Sequence, residues 1–226
     1  MTARTLSAQE TGSPAATPNN DTQKCVTNAA FYQKYFKRYE LLIEFKNLQN
    51  HGPSGIYVMP NPSNIHEWYG VLFLHRGFYA AGVFKFLLKI PLEYPQVAPT
   101  VTFLTDVFHP LITPDGSMHL GQLATSWRPR TDSVVHVLKY VKESFKEVVL
   151  ASLEDQSVPN KDSLHMFKHE RPLFAKLAAQ CATLSTTDSI LYDSHTPSNP
   201  IRFSPIRDEQ IDEFLHYMNE SMTDYC

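Results

Sequence analysis

Residues 83–121 read VFKFLLKIPLEYPQVAPTVTFLTDVFHPLITPDGSMHLG, and the order of patterns in that stretch decides the fold. From Val83 to Ile90 the large apolar residues Phe84, Phe86, Leu88 and Ile90 alternate with Lys85 and Lys89. A period of two means a strand with one buried and one partly wetted face, as in an antiparallel sheet. Pro91, Pro95 and Pro99 then interrupt the chain, and Thr100 to Leu104 resumes as a short strand with Val101 and Phe103 on one face. After it, Asp106 to Thr131 carries no period at all. Loops of that length inside a compact domain are uncommon and tend to serve function.

Upstream, Ile56 to Met59 forms a strand stopped by Pro60 and Pro62, and Trp68 to Leu74 forms another, closed by a turn at Arg76-Gly77. Short connections between four successive strands favour a meander. Before them, Phe31, Tyr35, Tyr39, Leu42 and Ile43 recur at helical spacing, with Lys34, Lys37 and Arg38 mostly elsewhere. This predicts an amphipathic helix from Asn28 to just before His51-Gly52-Pro53, its charged residues a solvated face. Downstream, Val134, Val137, Leu138, Val141 and Phe145 predict a helix over 133–149. Leu164, Phe167, Leu173, Phe174 and Leu177 predict a helical region over 161–184 with a break near Pro172. The class is α+β: an N-terminal helix, a four-stranded antiparallel meander and C-terminal helices. Residues 1–27 read as a disordered leader of small and polar residues, and 185–205 as a Ser/Thr/Pro-rich linker. In the tail, Ile211, Phe214, Leu215 and Met218 are spaced i, i+3, i+4, i+7, a short amphipathic helix near 207–219 that either docks a partner or packs back on the domain.

Composition excludes several classes. The 226 residues are 42% hydrophobic and 19% charged, enough to bury a core. A net charge of −3 gives no bulk positive field for nucleic acid or an anionic membrane. With 8 glycines there is no Gly-rich phosphate loop. No apolar run approaches the roughly 18 residues that span a bilayer, and the N-terminus lacks the apolar segment of a secretory signal. Cys25, Cys181 and Cys226 are far apart and odd in number, so neither a disulfide framework nor a zinc site is expected, and a reducing compartment, cytoplasmic or nuclear, is. Cys181 reads as a small buried hydrophobe. His109, Asp115 and His119 offer donor atoms in one loop, but not at a metal-binding spacing, and no metal or other cofactor is expected.

Local motifs then resemble, in order, those of the ubiquitin-conjugating (E2) fold. Pro91-Leu92-Glu93-Tyr94-Pro95-Gln96-Val97-Ala98-Pro99 resembles the E2 P-x-x-Y-P-x-x-P-P segment, with Ala98 replacing one proline. Phe108-His109-Pro110 resembles the opening of the E2 active-site loop, where the histidine is structural. Asp115 to Leu120 resembles the D/N-G-x-I-C-L that carries the catalytic cysteine, Trp127-Arg128-Pro129 the W-S-P beyond it, and Pro159 to Asp162 the start of the third E2 helix. The likeness covers residues 28–184 and implies a UBC domain there, followed by a tail over 185–226.

Three positions depart from the pattern. His119 stands where the E2 nucleophile would be, Leu111 at the asparagine after His-Pro, and Gly121 at the acidic position after the cysteine. The E2 reaction needs a thiolate, because a thioester is both readily formed and activated toward a lysine amine. It also needs a polar donor near the developing oxyanion, which leucine does not offer. The resemblance therefore implies a catalytically inactive variant. Tyr39 to Phe45, Pro53 to Pro60, Trp68-Tyr69-Gly70-Val71 and Gly77-Phe78-Tyr79 are similar to the fused-toes (AKT-interacting protein) family, its insect crossbronx-like members above all. That family implies an adaptor that binds Hook-type coiled-coil proteins in vesicle transport. The alternative is a non-catalytic ubiquitin-binding cofactor of an active E2.

Overall fold

The computed structural model describes residues 20–192, 198–207 and 210–211, with side chains from residue 35 onward. The chain divides into two units, 1–40 and 41–226. Helix α1, Asn20–His51, passes through the boundary between them. It starts eight residues before the expected Asn28, so 20–27 is helical rather than leader. No glycine or proline interrupts Asn20 to His51.

In the larger unit, α1 ends where the Gly52 amide donates to the Leu48 carbonyl (2.7 Å), one residue before Pro53. Four strands follow: β1 (Ile56–Pro60), β2 (Glu67–Leu74), β3 (Gly82–Lys89) and β4 (Thr100–Phe103). They form one sheet in sequence order, every pair antiparallel, as the meander requires. The register puts Leu72 opposite Ile56 and Phe84, and Phe86 opposite Phe103. One face thus carries Trp68, Leu72, Phe84, Phe86, Leu88, Val101 and Phe103, all buried.

Helix α3 (Val134–Ser144) covers that face, and its expected stripe is buried throughout. Ser133 and His136 form a capping box at its start. The expected single helix over 133–149 is two: Lys146 is extended (ψ 139°) and α4 (Glu147–Ala151) begins after it. The break turns Phe145 into the core, against Phe84 (5.9 Å, stacked), Tyr79 and Phe103. Helices α5 (Lys161–His169) and α6 (Arg171–Ser185) meet at Glu170 beside Pro172, where the break was expected.

Two expected faces are corrected. On α1 the stripe Tyr35, Tyr39, Leu42, Ile43 is the exposed one, with Tyr39 61% and Ile43 60% exposed. The buried face is Leu41, Phe45 and Leu48, with Phe45 edge-on to Trp68 (5.7 Å) and the Tyr94 hydroxyl donating to Glu44 Oε1 (2.6 Å). Both sets fit a 3.6-residue period, and the one richer in large residues is not the one that meets the sheet. On α6, Leu173 is exposed, and Phe174, Ala178, Ala182 and Ser185 form the buried face. The small residues let α6 come close to β3, where the Val83 amide donates to Ser185 Oγ (2.9 Å). That bond occupies a stretch of β3 that β4 is too short to reach.

The stretch 185–205 is not a free linker. Short α7 (Asp188–Leu191) presents the Ile190 and Leu191 carbonyls to Lys85 Nζ, 2.8 Å from each. Residues 198–203 then lie over the other face of the sheet: Ser198 Oγ meets the Tyr69 hydroxyl (2.9 Å), and Phe203 packs on Phe73 (6.3 Å). This cover explains why Tyr69 and Val71, on the face expected to be partly wet, are 3% and 2% exposed. Among the described residues no helix is long and apolar enough to cross a membrane.

Candidate functional site: the loop that carries His119

The chain after β4 folds back along it. The Phe103 amide donates to Gly116 O (2.8 Å) and the Met118 amide to Val101 O (2.9 Å), so residues 116–118 lie antiparallel along β4 through an isolated bridge. Its tip closes through Gly116 N to Thr113 O (2.9 Å) and Thr113 N to Ser117 O (3.0 Å). Gly116 sits at φ +84°, and a Cβ there would lie 2.2 Å from the Phe103 carbonyl oxygen, so the tip admits only glycine.

This return brings the singled-out positions together. The His119 amide donates to the Leu111 carbonyl (2.8 Å), and Ile112 pairs with Met118. Met118 and Leu120 point into the core, so the alternation holds His119 outward, exposed. Gly121, two residues on, begins a short helix α2 (Gln122–Thr125) at φ +54°, its Cα hydrogens facing the Tyr140 hydroxyl, where a Cβ would lie 3.0 Å away. Beyond it, Trp127 Nε1 donates to Pro95 O (2.8 Å), and Arg128 closes onto Asp132 through its amide (2.7 Å) and guanidinium (3.1 Å). Those hydrogen bonds hold the Asp132 carboxyl below its ordinary pKa.

His109 is the anchor of the loop. It is fully buried, with its ring 4.8 Å from that of Phe145. Nε2–H donates to the Ser144 carbonyl (3.1 Å), and Nδ1 accepts the Leu111 amide (3.0 Å). Both nitrogens are thus committed, and burial lowers the pKa to about 4, so the ring is neutral near pH 7. Leu111 has a buried side chain, its N–H bound to His109 and its C=O bound to His119. None of its polar groups is left to receive an oxyanion, and the group displayed on the rim is an imidazole.

Of the other singled-out residues, Ile211 is helical and 43% exposed, while Phe214, Leu215 and Met218 lie outside the described residues. Cys181 is half-buried on α6 and lines a cleft of about 820 Å³ with Asp115 and Met166. Cys25 lies on α1 and Cys226 outside the described residues. Sequence reading missed Tyr140 beneath Gly121. The two are far apart in the chain, and no spacing pairs them.

Residues 40–182 match the family described as ubiquitin-conjugating enzyme. Protein crossbronx homolog of Anopheles gambiae is 30% identical over 184 residues, 78% of this chain and 77% of its own length. AKT-interacting protein of Danio rerio is 32% identical over 195 residues, 84% of this chain and 64% of its own, and protein crossbronx-like of Drosophila pseudoobscura pseudoobscura is 30% identical over 176, 72% and 66%. The chain thus spans about two thirds of the length of the latter two relatives. With the antiparallel meander, the flanking helices and the loop after β4 arranged as described, this chain belongs to the ubiquitin-conjugating enzyme family, as a non-standard E2 variant of the crossbronx and AKT-interacting group.

Proposed function

We propose that this chain is a catalytically inactive E2-like adaptor that works through its surface in the cytoplasm. The observation that carries the reading is the pairing of His119 with Leu111: an exposed imidazole stands beside a residue whose polar groups are all engaged. A thioester needs a thiol at the rim, and the described cysteines sit on α1 and α6. The name of the zebrafish relative records a protein partner for that relative, and the fused-toes resemblance suggests Hook-type coiled-coil adaptors in vesicle trafficking for this chain. The stripe Ile211, Phe214, Leu215, Met218 is the docking element we favour, since Ile211 is helical and already exposed. Burial of such side chains contributes roughly 1.5–3 kcal/mol each before entropic costs.

Two measurements test this. Incubation with activating enzyme, ATP and ubiquitin is expected to leave no thiol-sensitive adduct, and an adduct lost on changing one cysteine overturns the inactive reading. Co-purification with a Hook-type coiled coil is expected, weakened by polar residues at Phe214 and Leu215 and unchanged in His119→Ala. Capture of ubiquitin or an active E2 in place of the coiled coil would favour the second reading, a non-catalytic cofactor of ubiquitin transfer.

A further inference from the structure

A cleft of about 640 Å³ opens beside the turn that leaves β2. Three separated segments line it: Ser54-Gly55 before β1, Phe73 to Gly77 at the end of β2, and Lys142 to Glu147 where α3 passes into α4. Leu74 and Phe145, on the core side, make an apolar floor, and Phe73 borders it at the end of β2. The polar wall is cationic. Arg76, Lys142 and Lys146 line it with one carboxylate, Glu147, in a chain whose net charge is −3. Glu147 is itself engaged by Arg171 from outside the cleft.

The cations are unequally compensated. Lys146 pairs with Glu143. Arg76 and His75 are exposed, and among the described residues neither has a carboxylate within ion-pair distance. Lys142 is half-buried, and its ammonium is held by two neutral acceptors, Ser54 O (2.7 Å) and Ser54 Oγ (3.0 Å). Those acceptors fix its position without neutralising it and leave one of its three N–H groups for a ligand.

We propose that this cleft binds a terminal phosphate group, carried either by a soluble phosphate compound or by a lipid headgroup. A phosphate presents three acceptor oxygens and close to two negative charges at neutral pH. That matches the Arg76 guanidinium fork from the end of β2 and the Ser54-fixed Lys142 ammonium from α3 better than one carboxylate would. The apolar floor suits the body of the molecule that carries the phosphate. The site lies apart from His119 and holds whether or not the adaptor reading does.

The test titrates the isotopically labelled full chain with inorganic phosphate and with inositol 1,4,5-trisphosphate, and sediments it with phosphatidylcholine vesicles with and without phosphatidylinositol 4,5-bisphosphate. Saturable amide shifts at His75, Arg76 and Gly77 are expected. Arg76→Ala and Lys142→Met should each weaken binding about tenfold or more. Lys89→Ala, an exposed cation at the other end of β3, should leave it unchanged, and all three variants should melt near the parent temperature. A response to inorganic phosphate that the inositol probe and vesicles do not exceed assigns a soluble source. A gain for the inositol probe with vesicle capture assigns the headgroup. No saturable shift with any probe, or an equal loss in Lys89→Ala, overturns the site.

Discussion

At the scale of single residues, the loop's chemistry turns on His109, Leu111 and His119, and each can be tested alone. Returning a thiol with His119→Cys leaves Leu111 without a donor and Gly121 where the family pattern has an acid. We expect at most trace lysine discharge of ubiquitin from that variant, because one oxyanion donor alone is worth on the order of a hundredfold in rate. Efficient single-turnover discharge would show that the loop keeps its catalytic geometry despite Leu111. His109 makes a pH prediction. Its folded pKa of about 4 lies below the ordinary 6.5, so the unfolded chain takes up this proton first. The stability it contributes is complete above about pH 6.5 and declines as the pH falls toward 4, by about 3 kcal/mol in all. The paired carboxylates Asp132 and Asp155, whose pKa values are lowered, lose their part only below about pH 4. Urea unfolding at pH 7, 5.5 and 4.5 should show the slope, and His109→Gln should flatten it while lowering stability throughout. A parent protein equally stable at pH 7 and 4.5 would refute the assignment.

At the scale of elements, the segment 198–203 is the one whose role the chain's composition concealed. Its contacts with the sheet include the Ser198–Tyr69 hydroxyl pair, the Phe203 ring on Phe73, and Lys85 beneath that ring at 5.8 Å. Phe203→Ala should therefore release it, at about 1–2 kcal/mol for a half-buried aromatic. Hydrogen exchange should quicken over 198–203 more than in α3. Uniform exchange with no change at 198–203 would mean that Phe203 does not fasten the segment. Edge strand β1 needs no such cover. Its neighbour bonds, Asn61 N to Glu67 O (2.7 Å) and Phe73 N to Gly55 O (2.8 Å), set the odd-numbered residues toward β2. Pro60, on the outward phase, has no N–H to offer a further strand.

At the scale of the whole molecule, α3 covers one face of the sheet and 198–203 covers part of the other. Deleting residues 186–226 should uncover Tyr69, Val71 and Phe73 beside the already exposed Tyr57 and Met59. A contiguous apolar patch of that kind promotes association, so light scattering and dye binding should rise while the far-ultraviolet spectrum keeps the sheet and helices. A monomeric, dye-silent truncation would show that the cover is dispensable. What was legible beforehand follows from what is local. Period-two alternation over 83–90 names a strand and its inward face without any partner, and the order of Pro91–Pro99, Phe108-His109-Pro110 and Asp115-Gly116 places the loop. That Leu111, His119 and Gly121 stand where the resemblance implies other residues is likewise read from the sequence alone. Spacing does not say which of two apolar stripes on α1 meets the sheet, since 35/39/42/43 and 41/45/48 share one period and only the entry angle of the helix chooses. Nor does it say that Ser/Thr/Pro-rich residues near 200 cover Tyr69, that His109 consumes the Leu111 amide, or that Arg76, Lys142 and Ser54 line one cleft. Those depend on contacts between residues tens of positions apart, which exist only once the chain has closed on itself.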